Sequence, residues 1–309
     1  MDIIRKKAAQ KRGGPAEADK SETISCGIPR QEGAKERRRR SAGRIPSRRF
    51  LQKEETSMNE HGQKLARFFE EQPAVALAFS GGVDSSYLLY AARRAGCRVQ
   101  PYYVKTRFQP EFEFADAKRL CAELGAEMRV IHADILAVDE VRANPANRCY
   151  FCKRAIFSRI LSAAQADGFS LVIDGTNASD DASDRPGMRA LREMQVRSPL
   201  REAGLTKAEI REASRQAGLF TWDKPAYACL ATRIPAGTAL DAETLAHVEH
   251  AEDALRGMDF SDLRVRVFAG AARIQLPEAQ LPAAVARREE ILEALKDDFS
   301  PILLDLKAR

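Results

Sequence analysis

The chain has 309 residues, 44% hydrophobic and 30% charged, a balance suited to one large or two modest globular domains. It has no apolar run of about eighteen residues, which excludes a spanning helix, and its charged start argues against a secretory leader. The net charge of +6 is local: residues 1–57 carry sixteen Lys/Arg against eight Asp/Glu, and the remainder carries thirty-four against thirty-six.

Residues 1–57 include Arg37-Arg38-Arg39-Arg40, scattered Gly and Ser, and almost no apolar periodicity. Such a stretch buries too little surface to offset its ordering entropy. The expectation is a disordered extension, even an overlong translation start, with Met58 opening the folded protein. A basic arm for nucleic acid is the alternative. From there the pattern is orderly. Leu65, Phe68 and Phe69 mark an amphipathic helix stopped near Pro73, and Val75 to Phe79 is a short apolar run that fits a strand buried on both faces. A Gly-rich loop follows, and Tyr87 to Ala92 begins a helix. Strands are predicted at Val99–Val104, Met128–Ile131 and Leu171–Asp174, with helices at Phe112–Leu124, Lys153–Ala166 and Thr206–Ala217. This alternation predicts an α/β fold with a parallel, doubly wound sheet over residues 58–237. After Gly237 the rhythm changes to a helix at about Asp241–Leu255, a strand pair at Leu263–Phe268 and Ala272–Leu276, and a helix near Leu281–Leu295. Residues 238–309 are therefore expected to form a small α+β domain. No internal repeat is visible.

Ser80-Gly81-Gly82-Val83-Asp84-Ser85-Ser86 lies directly after an apolar strand and opens a helix. Backbone N–H groups gathered at a helix N-terminus favour an anion, and glycines let the backbone approach phosphate oxygens. Ser80, Ser85 and Ser86 add hydroxyl donors, and Asp84 is suited to Mg²⁺ bridging phosphates. The lysine of a Walker A loop is absent, so this is not an ordinary P-loop. The loop resembles that of the PP-loop ATP pyrophosphatases, which release pyrophosphate while a substrate oxygen attacks the α-phosphorus. Asp174-Gly175-Thr176-Asn177-Ala178-Ser179-Asp180 resembles the superfamily's second signature, with Gly175, Asn177 and Asp180 expected across the crevice from the loop.

Further stretches are Arg148-Cys149-Tyr150-Phe151-Cys152-Lys153, Arg185-Pro186-Gly187, and the run from Ser198-Pro199-Leu200 to Gly237. That run contains Gly204-Leu205-Thr206-Lys207, Trp222-Asp223-Lys224-Pro225, Ala228-Cys229-Leu230 and Thr232-Arg233-Ile234. With Arg264-Val265-Arg266 and Ala272-Arg273-Ile274, they resemble the LarE family from Met58 to about Leu306. That family inserts sulfur into the precursor of the nickel-pincer nucleotide of lactate racemase. The resemblance implies that ATP adenylates a carboxylate of a pyridinium mononucleotide and that Cys229 bears the sulfur, with Arg233 and Lys224 stabilising its thiolate. In the simplest form of the family the cysteine is consumed and left as dehydroalanine.

Cys149 and Cys152 are three apart and so share one face of a helix. With Cys229 they make three thiolates, the number that holds a [4Fe-4S] cluster and leaves one iron open. Sacrificial transfer through Cys229 alone and a zinc site completed by His132, His247 or His250 are the alternatives. Cys97 and Cys121 read as core, and Cys26 lies in the extension.

Arg264 and Arg266 alternate on one strand and face the same way, which suits a substrate phosphate that Arg273 would share. The resemblance suggests Glu252 as a metal or substrate ligand, with Glu249 on the same helix. The family's usual Glu after Ala-Arg-Ile is Gln275 here. His247 and His250 share a helical face and read as exposed. Few cysteines without scaffold spacing indicate a reducing cytoplasm. The expected partners are a small-molecule nucleotide and further copies of the chain, with no membrane and no stable nucleic acid. A tRNA thiolase is the closest rival function, but it needs a basic groove that a folded part of slightly acidic balance does not promise. An amidotransferase-type synthetase lacks its glutaminase, and a purely regulatory nucleotide binder leaves the cysteines unexplained.

Overall fold

A computed structural model describes residues 21–23, 60–180 and 185–309. Most of the expected extension, including Cys26 and the arginine run, lies outside the described residues. The exception is strand β1 (Ser21–Thr23), which pairs antiparallel with β4 (Arg129–His132) at the edge of the larger sheet. Helix α1 (Glu60–Glu71) precedes β2 (Ala74–Ala78), α2 (Val83–Arg94), β3 (Arg98–Lys105) and α3 (Glu111–Glu123). Beyond β4 come α4 (Asp139–Arg142), α5 (Arg148–Ala166) and β5 (Val172–Ile173).

The sheet order is β1-β4-β3-β2-β5, and the four strands other than β1 are parallel, as expected for the doubly wound class. The order reverses between β2 and β5. In such sheets the crevice beyond the carboxyl ends of the strands at this switch point takes the ligand. Here the loop after β2 and the signature after β5 flank it. One face of the sheet packs Leu65, Phe69, Leu88, Leu120 and Ile210, and the other packs Phe157, Ile160 and Leu191. Burial on both faces explains why Val75, Ala76 and Leu77 form an unbroken apolar run.

Helices α6 (Pro186–Glu193), α7 (Pro199–Glu202) and α8 (Lys207–Gln216) complete this half. Only α8 was expected, and it is fixed by a capping box in which Thr206 and Glu209 satisfy each other's backbone N–H groups. A 3-10 turn at Leu230–Arg233 leads to α9 (Ala242–Gly257), β6 (Arg264–Phe268) and β7 (Ala271–Gln275). The hairpin between β6 and β7 turns on Ala269 and Gly270, both at positive φ, the twist a two-residue hairpin requires.

The expected helix near Leu281–Leu295 is two helices, α10 (Leu281–Ala286) and α11 (Arg288–Leu295), broken at Arg287. Strand β8 (Ile302–Leu304), not anticipated, adds parallel to β7. The apolar core of this C-terminal unit also takes in Phe108, Ile135, Val141 and Leu230 from earlier in the chain. No helix among the described residues is long and apolar enough to cross a membrane.

Candidate active site

The loop after β2 is shaped by its first glycine. Gly81 sits at φ +73°, and a Cβ there would lie 2.8 Å from the Cβ of Ala117 on α3, so only glycine lets the loop lie under that helix. Gly82 caps α2 in extended conformation. Gly175 brings the second signature onto the loop: a Cβ there would stand 2.9 Å from the Ser85 backbone nitrogen. Between them opens a cavity of about 350 Å³, lined among others by Ser80, Gly82, Asp84, Ser85, Lys153 and Asp180.

The hydroxyls are already organised. Ser85 Oγ donates to the Gly82 carbonyl at 3.2 Å, lies 3.1 Å from Ser80 Oγ and accepts from the Ser80 N–H at 3.3 Å. Ser86 is fully buried and does not line the cavity, unlike the hydroxyl donor expected of it. Asn177 is also buried; its side-chain oxygen accepts the Ser179 N–H at 2.8 Å and so shapes the signature loop rather than lining the cavity. Asp180 lines it while accepting the Asn177 N–H at 3.0 Å.

Asp84 pairs with Lys207 at the start of α8, Nζ to Oδ2 at 2.7 Å, and its Oδ1 is buried without a partner. Burial pushes the Asp84 carboxyl above its ordinary value against the pull of Lys207, and the nearby Asp180 adds to the rise. A buried, unpartnered carboxylate oxygen beside a second carboxylate is a donor set that fits Mg²⁺. Lys153 supplies a cation the sequence had not singled out for this cavity. Its ammonium has no partner among the described residues, and its chain lies against Gly187, where a Cβ would come within 3.1 Å of Lys153 Cδ. That contact explains the glycine of Arg185-Pro186-Gly187.

Helix α5 carries the site to its sulfur end. It begins at Arg148, five residues before the expected start, which places Cys149 and Cys152 in its first turns with Lys153 next to them. Cys149 is exposed, while Cys152 and Cys229 are partly buried. The three feel one another: burial pushes the Cys152 thiol up to about 12, and the charges of Cys229 and Cys149 add to the rise. Cys229 is likewise raised by burial, opposed most by Arg148. The Arg148 guanidinium lies 3.9 Å from Cys229 Sγ and is held by Asn144 Oδ1 at 2.6 Å and the Ala231 carbonyl at 2.9 Å. Arg148 thus occupies the place expected of Lys224 and Arg233.

Lys224 turns away to Asp116 at 2.7 Å and Glu113 at 3.1 Å on α3. Arg233 lies beneath the loop, fully buried. It donates to the Ala228 carbonyl at 2.9 Å and pairs with Glu252 at 2.7 Å. Glu252, itself 0% exposed, also accepts from Arg256 at 3.1 Å, Tyr227 Oη at 2.5 Å and the Val265 N–H at 3.0 Å. Its oxygens are committed to protein donors, so the structure gives it a supporting place under Cys229 rather than an open ligand position.

Among the described residues no three His, Cys, Asp or Glu stand where one ion would hold them. Thiolates on a single zinc ion all lie about 2.3 Å from one point, whereas cluster ligands sit on separate irons and stand wider apart. The exposed Cys149 and the partly buried Cys152 and Cys229 stand near enough for the charges of the other two to raise the Cys152 thiol, without meeting at one point. The histidines are placed elsewhere. His247 and His250 both bind Asp298, at 2.8 and 2.5 Å, a partner the sequence did not reveal, and His132 ends β4.

On the C-terminal sheet Arg266 stands opposite Arg273, so these two and Arg264 share a face. Arg264 is buried, donates to the Ala226 and Leu263 carbonyls, and is pushed down to about 10 by burial and by the Arg233 charge. Arg266 is lowered by burial and by Arg233, Arg273 and Arg309; it donates to Gln275 at 2.6 Å. Gln275 in turn donates to Asp305 at 2.8 Å, which anchors the cradle where the family's usual residue is acidic. Arg264 and Arg266, lowered by burial and by neighbouring arginines, form with Arg273 a cradle suited to an anion.

No protein-family model matches the chain. It is 37% identical over 221 residues to an uncharacterized protein of Synechocystis sp., covering 71% of this chain and 82% of that one. It is 33% identical over 235 residues to the pyridinium-3,5-bisthiocarboxylic acid mononucleotide synthase of Lactiplantibacillus plantarum, covering 75% of this chain and 85% of the relative. A more distant relative is the tRNA-specific 2-thiouridylase of Pseudothermotoga lettingae, 24% identical over 186 residues, 48% of this chain and 53% of that enzyme.

Proposed function

This chain belongs to the LarE family of ATP-dependent sulfur-transferring PP-loop enzymes, and we propose that it converts carboxylates of a pyridinium dicarboxylate mononucleotide to thiocarboxylates. The single observation that carries this reading is helix α5, which borders the ATP cavity with Lys153 and the Cys229 region with Cys149 and Cys152. ATP occupies the cavity, with its β,γ-phosphates on the backbone of Ser80, Gly81 and Gly82 and on the Ser85 hydroxyl. Mg²⁺ held by Asp84, when bound, neutralises the leaving pyrophosphate. Lys153 adds positive charge near the phosphates. The attacking carboxylate oxygen forms its bond to the α-phosphorus as the bond to pyrophosphate breaks, which leaves AMP as a good leaving group. The C-terminal unit, residues 238–309, holds the substrate's own phosphate through Arg264 and Arg266, with Arg273 beside them.

Sulfur reaches the activated carbon at Cys229, whose loop is fixed by Arg233 and whose Sγ faces Arg148. Cys149, Cys152 and Cys229 are the residues that would hold a [4Fe-4S] cluster, which when bound supplies an open iron able to carry an exchangeable sulfide. The chemistry of the donors favours it. Burial raises the Cys152 and Cys229 thiols, and with one guanidinium near Cys229 the two resist ionising together unless a strongly positive centre compensates them.

Iron content and visible absorption of anaerobically purified protein test this. Brown protein is expected, with Cys149→Ala, Cys152→Ala and Cys229→Ala each losing the colour. Sulfur yield with added sulfide should pass one per chain, without dehydroalanine at Cys229. Colourless protein that is fully active without iron would refute the cluster and leave Cys229 as a sacrificial donor.

A further inference from the structure

Two loops must act in sequence if the proposed reaction is right: the one that binds pyrophosphate and the one that carries Cys229. Helix α8 touches both. Its first residue, Lys207, pairs with Asp84 at 2.7 Å. One turn on and on the same face, Arg211 donates through Nη1 to the Trp222 carbonyl at 2.6 Å and through Nη2 to the Lys224 carbonyl at 2.7 Å. The segment so gripped, Trp222 to Lys224, runs directly into Tyr227, Ala228 and Cys229.

Its other side is fixed by α3, where Glu113 and Asp116 hold the Lys224 ammonium at 3.1 and 2.7 Å. That same helix supplies Ala117, the residue against which Gly81 closes. The sulfur-bearing loop is therefore indexed by two helices that each also touch the pyrophosphate loop. A planar guanidinium with two parallel N–H donors holds two carbonyls in one geometry, which an ammonium cannot reproduce.

We propose that Arg211 is a positioning residue that fixes the Cys229 loop relative to the ATP loop, so that an adenylated carboxylate is met by sulfur before water reaches it. The assignment rests on the function proposed above. Without the fork, the acyl adenylate is hydrolysed: water adds to the carbonyl carbon, AMP leaves, and the original carboxylate returns with the ATP spent.

The test compares wild type, Arg211→Lys and Arg211→Gln, supplied with ATP, Mg²⁺ and the pyridinium dicarboxylate mononucleotide. Pyrophosphate and thiocarboxylate are counted in the same reaction. Arg211→Lys leaves the Lys207–Asp84 pair and the ATP loop in place, so pyrophosphate release is expected near the wild-type rate. Thiocarboxylate formation is expected to fall by about 10²-fold, the cost typical of small misplacement of reacting groups. Trp222, the single tryptophan, reports the loop directly, and acrylamide should quench it more readily in both variants. A lysine variant with wild-type thiocarboxylate yield per pyrophosphate would overturn the assignment. So would a parallel fall of both products, since that marks a general structural role. If Arg211→Gln fails to fold, the lysine variant alone decides. Wild-type enzyme that releases no pyrophosphate would overturn the underlying function and this assignment with it.

Discussion

Asp84→Asn is expected to lower pyrophosphate release by about 10²–10³-fold while leaving the fold intact, the scale seen when one preorganised charge contact to a reacting centre is lost. The amide keeps the size of the carboxylate, so α2 and its cap are not disturbed. It removes the negative charge that Lys207 holds from one side and replaces the buried oxygen left open on the other. Gly81 and Gly82 remain, so nucleotide still binds, and the loss falls on turnover more than on affinity. Urea unfolding would check the fold, and a phosphate-coupled assay the rate. Release at the wild-type rate would remove Asp84 from the chemistry.

The largest stability effect is expected at Glu252→Gln. This carboxylate and Arg233 are both fully buried, and removal of one charge strands the other in a medium that cannot solvate it. A loss of about 3–5 kcal/mol is expected, the usual range for breaking a buried pair. The pH dependence follows. Burial pushes the Glu252 carboxyl up, but its bonds to Arg233, Tyr227 and the Val265 N–H outweigh this, and it lies below its ordinary value. A depressed carboxyl contributes stability that is present above the unfolded value, about 4.3, and lost as pH falls through the folded one. The gap between wild type and variant should therefore narrow in acid. Because Arg233 also holds the Ala228 carbonyl beside Cys229, sulfur transfer should fall with stability. A change under about 1 kcal/mol, the size of an exposed pair, would contradict this placement.

The strand, loop and helix around Ser80-Gly81-Gly82 were readable because three local signals coincide there: a doubly buried apolar run, obligatory glycines and a helix start. The parallel sheet followed from the same alternation. What was not readable depends on distance along the chain. Lys207 and Asp84 are 123 residues apart, and nothing in either neighbourhood names the other. The capping box at Thr206 and Glu209 marks where α8 begins, but not that its first lysine faces the ATP loop. Arg148, Arg233 and Lys224 all stand near a cysteine in sequence or in the matched stretches. Only the fold sorts them, sending Lys224 to α3, Arg233 to Glu252, and Arg148 to the sulfur.

Local misreadings have local causes. The helix predicted from Lys153 starts at Arg148, which takes in the Cys149 and Cys152 pair whose spacing already implied a helix. The apolar period across residues 281–295 continues through the break at Arg287, so two helices looked like one. Strand β5 is shorter than Leu171–Asp174 because the Asp174 N–H bonds the Arg197 carbonyl instead of β2, while its carboxylate accepts from Thr176 and Ser198.

In the proposed function, ATP cleavage and sulfur transfer to a carboxylate are one reaction on this chain. This is tested most directly by incubating the anaerobic full-length enzyme with ATP, Mg²⁺, a sulfide source and the pyridinium dicarboxylate mononucleotide. Pyrophosphate, AMP and the mass of the nucleotide are then followed together. Pyrophosphate release that depends on the nucleotide is expected, with equal AMP and with a carboxylate oxygen replaced by sulfur in proportion. Pyrophosphate released at the same rate without the nucleotide, or a nucleotide that never gains sulfur, would contradict it.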